Sequence, residues 1–115
     1  MTSSSTRQRE LAAQLTAAGV SATADPRSAT PPVVLVPPPR RRYDVGCGYS
    51  AEWELIPLVP GPGNADADAA LSATVDRLAE LLPVVDAEPG SYVLSPDNAP
   101  FPAYRVHFLE GIDPA

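Results

Sequence analysis

The stretch that decides the fold is Trp53-Glu54-Leu55-Ile56-Pro57-Leu58-Val59, then Pro60-Gly61-Pro62-Gly63-Asn64, then a helical pattern from Ala65 to Leu82. It reads as the end of a strand, a rigid turn and the strongest helix in the chain. Asn64 is a suitable N-cap, because its side chain can accept from an unpaired first-turn amide. Asp66 and Asp68 fall in the first turn, where the helix dipole favours negative charge. Leu71, Val75, Leu78 and Leu82 recur at i, i+4, i+7 and i+11, and Ala79 and Leu81 broaden that stripe. Asp76, Arg77 and Glu80 fall on the wet side, and Pro83 stops the helix. At about 1.5 Å per residue such a helix is roughly 27 Å long, enough to cross a four- or five-stranded sheet.

Working backwards, the chain alternates strictly from Tyr43. Tyr43, Val45, Cys47, Tyr49, Ala51, Trp53 and Leu55 share one face; Asp44, Gly46, Gly48, Ser50, Glu52 and Glu54 share the other. Period two predicts one long half-buried strand. Gly46 and Gly48 weaken its first half, so a bend or bulge is expected there. Ile56 and Leu58 place apolar groups on the polar face, so the strand is either buried on both sides near its end or slips phase at a bulge. Val33-Val34-Leu35-Val36, between prolines, reads as a strand buried on both faces. Pro37 to Arg42 is three prolines and three arginines. It predicts a stiff, extended, solvated segment, either a plain loop or a contact arm for an acidic surface or phosphates.

The first helix is expected to open at Ser5, with Gln8 completing a capping box. Leu11 and Leu15, widened by Ala12 and Ala18, form its apolar face, and Gly19 suits the C′ position. Val20 to Ala24 is a short strand or an extended connector, and Asp25-Pro26 a turn. After the second helix, Glu88-Pro89-Gly90 reads as a turn, Ser91 to Ser95 as a strand and Pro96 to Pro102 as a loop. From Ala103 to Leu109 the chain alternates again, with Tyr104, Val106 and Phe108 opposite Arg105 and His107. These last two runs predict a terminal hairpin. The expected fold is α+β, in the order α-β-β-α-β-β. A twisted antiparallel or mixed sheet of four to five strands carries both helices on one face. One domain covers 1–115, with 1–4 as a loose N-terminus, 37–49 as a candidate projecting arm and 111–115 as a tail.

Composition narrows the function classes. The 115 residues suit a single core. With 15 Pro and 7 Gly among them, that core should be built from short elements with hard stops. All eight cations are Arg, against 14 acids, and the net charge of −6 disfavours general nucleic-acid binding. Cys47 is the only cysteine, which excludes an intrachain disulfide and a Cys-based metal site. No run approaches membrane length and no basic-then-apolar leader opens the sequence, so a soluble product made in the cytoplasm is expected.

An enzyme needs a nucleophile, a base and oxyanion donors converging. His107 is the only histidine, sits in a strand and reads as a satisfied surface residue. Glu52 and Glu54 are about 7 Å apart along one strand face, but that face is open rather than a cleft. The glycine turns are not phosphate loops: the chain has no Lys for a Walker motif and no third Gly for a dinucleotide fingerprint. No catalytic, cofactor-binding or metal-ligating residue is therefore expected.

The chain resembles the tail terminator proteins of long-tailed phages, above all small versions from phages of actinobacterial hosts. The similarity spans about residues 7–110. It is carried by Arg9-Glu10-Leu11-Ala12-Ala13-Gln14-Leu15-Thr16-Ala17-Ala18-Gly19-Val20, by Asp25-Pro26-Arg27 with Pro32-Val33-Val34-Leu35-Val36, and by Leu58-Val59-Pro60-Gly61-Pro62-Gly63-Asn64-Ala65-Asp66-Ala67. Leu94-Ser95-Pro96 and Pro102-Ala103-Tyr104-Arg105-Val106 complete it. The resemblance implies a small α/β sandwich with a projecting loop or arm, no catalysis and no cofactor. It implies a ring, typically a homohexamer, on the head-proximal end of the tail tube. That ring ends tube polymerisation, docks the head connector or stopper and lets DNA pass through its lumen without specific binding. The protein would then reside in the neck of the virion. Under that reading Arg40, Arg41, Arg42, Tyr43, Tyr49, Glu52, Glu54 and Arg105 are candidate interface residues. Alternatives are another neck component, such as a head–tail stopper or tail-completion protein, and a small DNA-contacting module using Arg40–Arg42.

Overall fold

The structure is a computed structural model that describes residues 4–43, 49–61, 64–95 and 99–112. Its elements are helix α1 (Ser4–Ala17), strands β1 (Ala22–Thr23), β2 (Val33–Leu35), β3 (Arg40–Tyr43) and β4 (Tyr49–Leu58), helix α2 (Ala65–Leu81), and strands β5 (Val84–Tyr92) and β6 (Phe101–Ile112). The fold is α+β, with both helices packed on one face of a mixed sheet. Six strands form that sheet, in the order β1-β2-β4-β6-β5, with β3 also paired to β4. Every pairing is antiparallel except β1 with β2.

The helices begin and end for local reasons. Gly19 takes φ 89°, the left-handed conformation that side chains disfavour. Around it the Val20 amide donates to the Leu15 carbonyl at 2.8 Å and the Gly19 amide to Thr16 at 3.1 Å, which closes α1 as a Schellman motif. Ser5 does not open α1, since Ser4 is already helical, and the Gln8 side chain donates to the Val36 carbonyl at 2.7 Å, tying α1 to the end of β2. Asn64 caps α2 as expected, its Oδ1 accepting from the Ala67 amide at 2.9 Å. The α2 stripe holds at Leu71, Leu78 and Leu82, but Ala79 is exposed and Ala67 is buried in its place.

Both helices lie on the core. Leu11, Ala12, Leu15, Leu78 and Leu82 meet Val34, Val36, Ala51, Trp53, Leu55, Val106 and Phe108 from the sheet. At the other end of β4 the opposite face is also buried, where Val33, Leu35, Ile56, Leu58 and Ala103 cluster under Tyr92, Leu94 and Phe101. The first of the two readings of Ile56 and Leu58, burial on both sides, is the one realised.

Three elements differ from expectation. The long strand from Tyr43 is a hairpin: Arg40–Tyr43 pair antiparallel with Tyr49–Glu52, so the alternation across the turn belongs to two strands. Leu35 pairs with Ile56 and Arg40 with Glu52, which sets four residues (36–39) opposite three (53–55). Pro37, Pro38 and Pro39 have no amide to offer β4, so one edge strand breaks there into β2 and β3. Glu88-Pro89-Gly90 lies inside β5 rather than in a turn; the proline is tolerated because β5 is the outermost strand. The hairpin partner of β5 is longer than expected, so Gly111 is strand rather than tail. Val93, Leu94 and Ser95, expected in a strand, follow β5. The expectations for Val45, Gly46, Cys47, Gly48, Pro62, Gly63 and the loop at 96–98 fall outside the described residues.

Two substitutions check this packing. Leu78→Ala, at a site with no exposure, should destabilise by about 2–5 kcal/mol in urea unfolding. Gly19→Ala should cost about 1 kcal/mol although nothing lies within 4 Å of the added Cβ, because the penalty is conformational.

Candidate functional site

The face of the sheet away from the helices carries a line of charge across three strands. Glu54 on β4 is its centre. One carboxylate oxygen accepts from Arg105 on β6 at 2.8 Å, and the other from His107 Nε2 at 2.9 Å. His107 Nδ1 in turn bonds Asp86 on β5. The ladder sets these contacts, since Glu54 and Asp86 are both register partners of His107. Arg105 also stands over the Tyr92 ring, 5.9 Å from its centroid. Beside this line, Pro37, Pro38, Arg40, Glu52, Glu54 and His107 border a shallow cleft of about 340 Å³.

The charges set one another. The hydrogen bond to Glu54, and after it the bond to Asp86, holds the His107 imidazole above its ordinary pKa. The same bond from His107, followed by Arg105, holds Glu54 below the ordinary carboxylate range. In its protonated form the imidazole donates from both ring nitrogens, to Glu54 and to Asp86. With both nitrogens engaged, His107 has none free to activate a hydroxyl, and the arrangement is a clamp across β4, β5 and β6.

A second clamp lies on the helix-bearing face. Arg7 of α1 donates from Nε and Nη2 to the Glu110 carboxylate, at 2.9 Å each. The fork geometry anchors the start of α1 to the far end of β6. Beyond it the β3–β4 hairpin continues uncovered. Arg41 donates to the Tyr43 hydroxyl at 3.1 Å and sits 5.3 Å from the Tyr49 ring centroid, while the two tyrosine rings stand 5.3 Å apart. Tyr43 is 67 % exposed.

The eight candidate residues therefore do not form one surface. Arg40, Arg42, Glu52, Glu54 and Arg105 share the open face, with Arg40 and Glu52 in a loose pair at 3.7 Å. Arg41, Tyr43 and Tyr49 are on the other side of the sheet and meet the first set only along the β3 edge. The paired carboxylates do not act together either, since Glu52 and Glu54 have separate cationic partners. Sequence reasoning missed Asp86, because the register shift between Val84 and Asp86 breaks the phase that would place it on the open face. It also missed the Arg7–Glu110 clamp, which spans 103 positions. Among the described residues no group of three or more His, Cys, Asp or Glu could hold a metal ion, and no helix is long and apolar enough to cross a membrane. No family model, no curated protein and no solved structure matches the chain.

The clamp has a pH signature. His107 is raised, so its contribution is complete below the ordinary imidazole pKa of about 6.5 and is lost as pH rises through the raised value. Glu54 is lowered, so its contribution is present above about pH 4.3 and is lost as pH falls through the lower value. Stability should therefore peak between those limits. Urea midpoints from about pH 6 to pH 9 should fall in the native chain and flatten in His107→Gln. Equal slopes in the two proteins would rule the clamp out.

Proposed function

We propose that this chain is an assembly protein of a long-tailed phage, a tail terminator. It forms a homomeric ring on the head-proximal end of the tail tube, ends tube polymerisation and docks the head connector. The reading rests on the resemblance carried by residues 7–110, most specifically by the turn from Pro60 to Asp66 into the helix. The observation that carries it further is the uncovered hairpin. Arg41 and Tyr43 point to the helix-bearing face yet are exposed, so the helices leave the β3 edge uncovered although Arg7 of α1 reaches Glu110 in the same row as Arg41. The molecule is 48 Å long against 29 and 25 Å in the other directions. A small domain that extends a charged, aromatic edge past its own core suits repeated contact with copies of itself.

In this reading the clamps stiffen the subunit, the arginine edge contacts a neighbour, and the tube protein and connector take the two ends of the ring. A head–tail stopper or tail-completion protein would use the same shape. The stacking of Arg41 on Tyr49, beside Tyr43, favours one rival of another class, a single-stranded nucleic-acid contact. The net charge of −6 weighs against it.

Light scattering followed by negative-stain imaging tests the proposal. Closed rings are expected, and a monomer at every concentration up to the millimolar range would count against it. Arg40→Ala, Arg41→Ala and Arg42→Ala combined should lower the assembled mass without changing the fold by circular dichroism. A gel shift at low salt that vanishes with added salt would favour the nucleic-acid reading instead.

A further inference from the structure

The two outermost strands of the sheet, β1 and β5, each have one side without a strand partner among the described residues. β1 also forms one wall of a groove. Ala22 and Ala24 line it on one side, and Ala12, Ala13, Thr16 and Ala17 of α1 on the other, around a volume of about 790 Å³. The backbone at each edge is turned outwards. The Ser21 and Thr23 carbonyls accept from the Val34 and Val36 amides at 2.8 and 2.9 Å, so the polar groups of Ala22 between them face away from β2. On the other strand, Pro102 of β6 turns its carbonyl to the Val59 amide, away from β5. Its register partner Ser91, and Pro89 two residues before, therefore point their backbone groups away from β6.

We propose that the β5 edge of one copy enters the groove beside β1 of a second copy and pairs with it, so that the sheet runs on from subunit to subunit. This deepens the ring-assembly reading and rests on it. The rows of the sheet favour the contact. Ala22 is level with Val34, Pro57, Tyr104 and Pro89, and Thr23 is level with Leu35, Ile56, Arg105 and Glu88. Each of these rows thus ends in an open edge on both sides. β1 runs antiparallel to β5, so copies related by rotation about an axis along the strands meet in antiparallel pairing with no shift along that axis.

The chemistry fits position by position. Opposite Pro89, the Ala22 amide finds the proline carbonyl. The Ala22 carbonyl receives no amide from proline, but it lies 3.5 Å from the Thr16 hydroxyl of its own chain. Two rows on, Ala24 meets Ala87. Ala87 packs on the helix-bearing face, Pro89 shares that face by alternation, and both are small enough to pass beneath the alanines of α1. Charge selects the partner. Two β5 edges meeting each other would set Asp86 and Glu88 against the same acids, which like-charge repulsion disfavours. The groove instead has Arg9 in its lining, and the turn after β1 carries Arg27, whose side chain is 95 % exposed and held only at 3.8 Å by Asp25. The one acidic pair this register brings level is Asp25 with Asp86, and each already has a partner in its own chain, Arg27 and His107. Such a contact is heterologous: it closes into a ring where the rotation closes and continues as a fibre where it does not.

Cross-linking between copies tests this. In a Cys47→Ser background, Thr23→Cys and Glu88→Cys are made as separate proteins and mixed with a short bismaleimide. Paired positions on neighbouring strands place their Cβ atoms about 5 Å apart. The mixture should give a cross-linked heterodimer, and the double variant a ladder of oligomers. Neither variant alone should cross-link appreciably. Hydrogen exchange on the unaltered chain supplies a reading free of substitutions: the Ala22, Ala24 and Ala87 amides should become protected as concentration rises. Ala13→Trp, at an exposed position inside the groove, should lower the assembled mass, while Ala69→Trp on the exposed side of α2 should leave it unchanged. Rings without the heterodimer or that protection would overturn the edge pairing and leave the terminator reading standing. A heterodimer from open fibres would support the pairing and count against a closed ring. A monomer without protection up to the millimolar range would count against both.

Discussion

The antiparallel pairing of β4 with β6 is the interaction on which the rest of this structure depends. Trp53 and Phe108 are direct partners in that ladder, and their rings stack at 6.1 Å between centroids. Both are fully buried, with Leu55 and Val106 beside them. Complete burial of a large apolar side chain contributes about 1.5–3 kcal/mol, so these four residues form a platform on which two modest helices can lie. Neither helix would persist without it: α1 is short and rich in alanine, and α2 has only one broad apolar stripe. The same ladder sets Glu54 against His107 on the reverse face and Glu52 against Leu109, so the polar line and the open edge are consequences of the register that buries the core.

The two faces of the sheet are treated in opposite ways. On the helix side, apolar burial and the Arg7–Glu110 fork bring α1 down to the end of β6. On the other side an apolar cluster covers the Ile56–Leu58 end, and beyond it a chain of hydrogen-bonded charges holds β4, β5 and β6 together. Such cross-strand pairs help to set register where apolar burial does not reach. The triple proline adds a third constraint. It interrupts the edge strand between β2 and β3 and shifts its pairing by one residue.

Much of this was legible in the residues. The stripe of α2, the Asn64 cap, the Gly19 terminus and the double-sided burial of Val33–Val36 follow from periodicity and local hydrogen bonding, whereas Ile56 and Leu58 left burial on both sides and a bulge equally open. The separation of Glu52, Glu54, Arg105 and His107 from the core follows from period two. Other features were illegible for specific reasons. The alternation from Tyr43 to Leu55 is the same whether the chain runs straight on or folds back into a hairpin. Asp86 reaches the open face because of a register shift, and a shift of one residue has no signature in composition. Gln8 has the right spacing for a capping box, but a carbonyl left over at the end of β2 offers its amide a better partner. Pro89 looks like a turn residue unless β5 is known to be outermost.

Local chemistry in the sequence therefore determined the class of fold, the two helices with the end of α1 and the cap of α2, and most of the side chains that would be buried. These properties depend on neighbours within a few residues, through capping, periodicity and proline geometry. Only the tertiary structure decided which strands became edges and which charges found each other. Those depend on strand order and on register across separations of up to 103 residues. No local pattern encodes them, because a sheet assigns its partners only once the whole chain has packed.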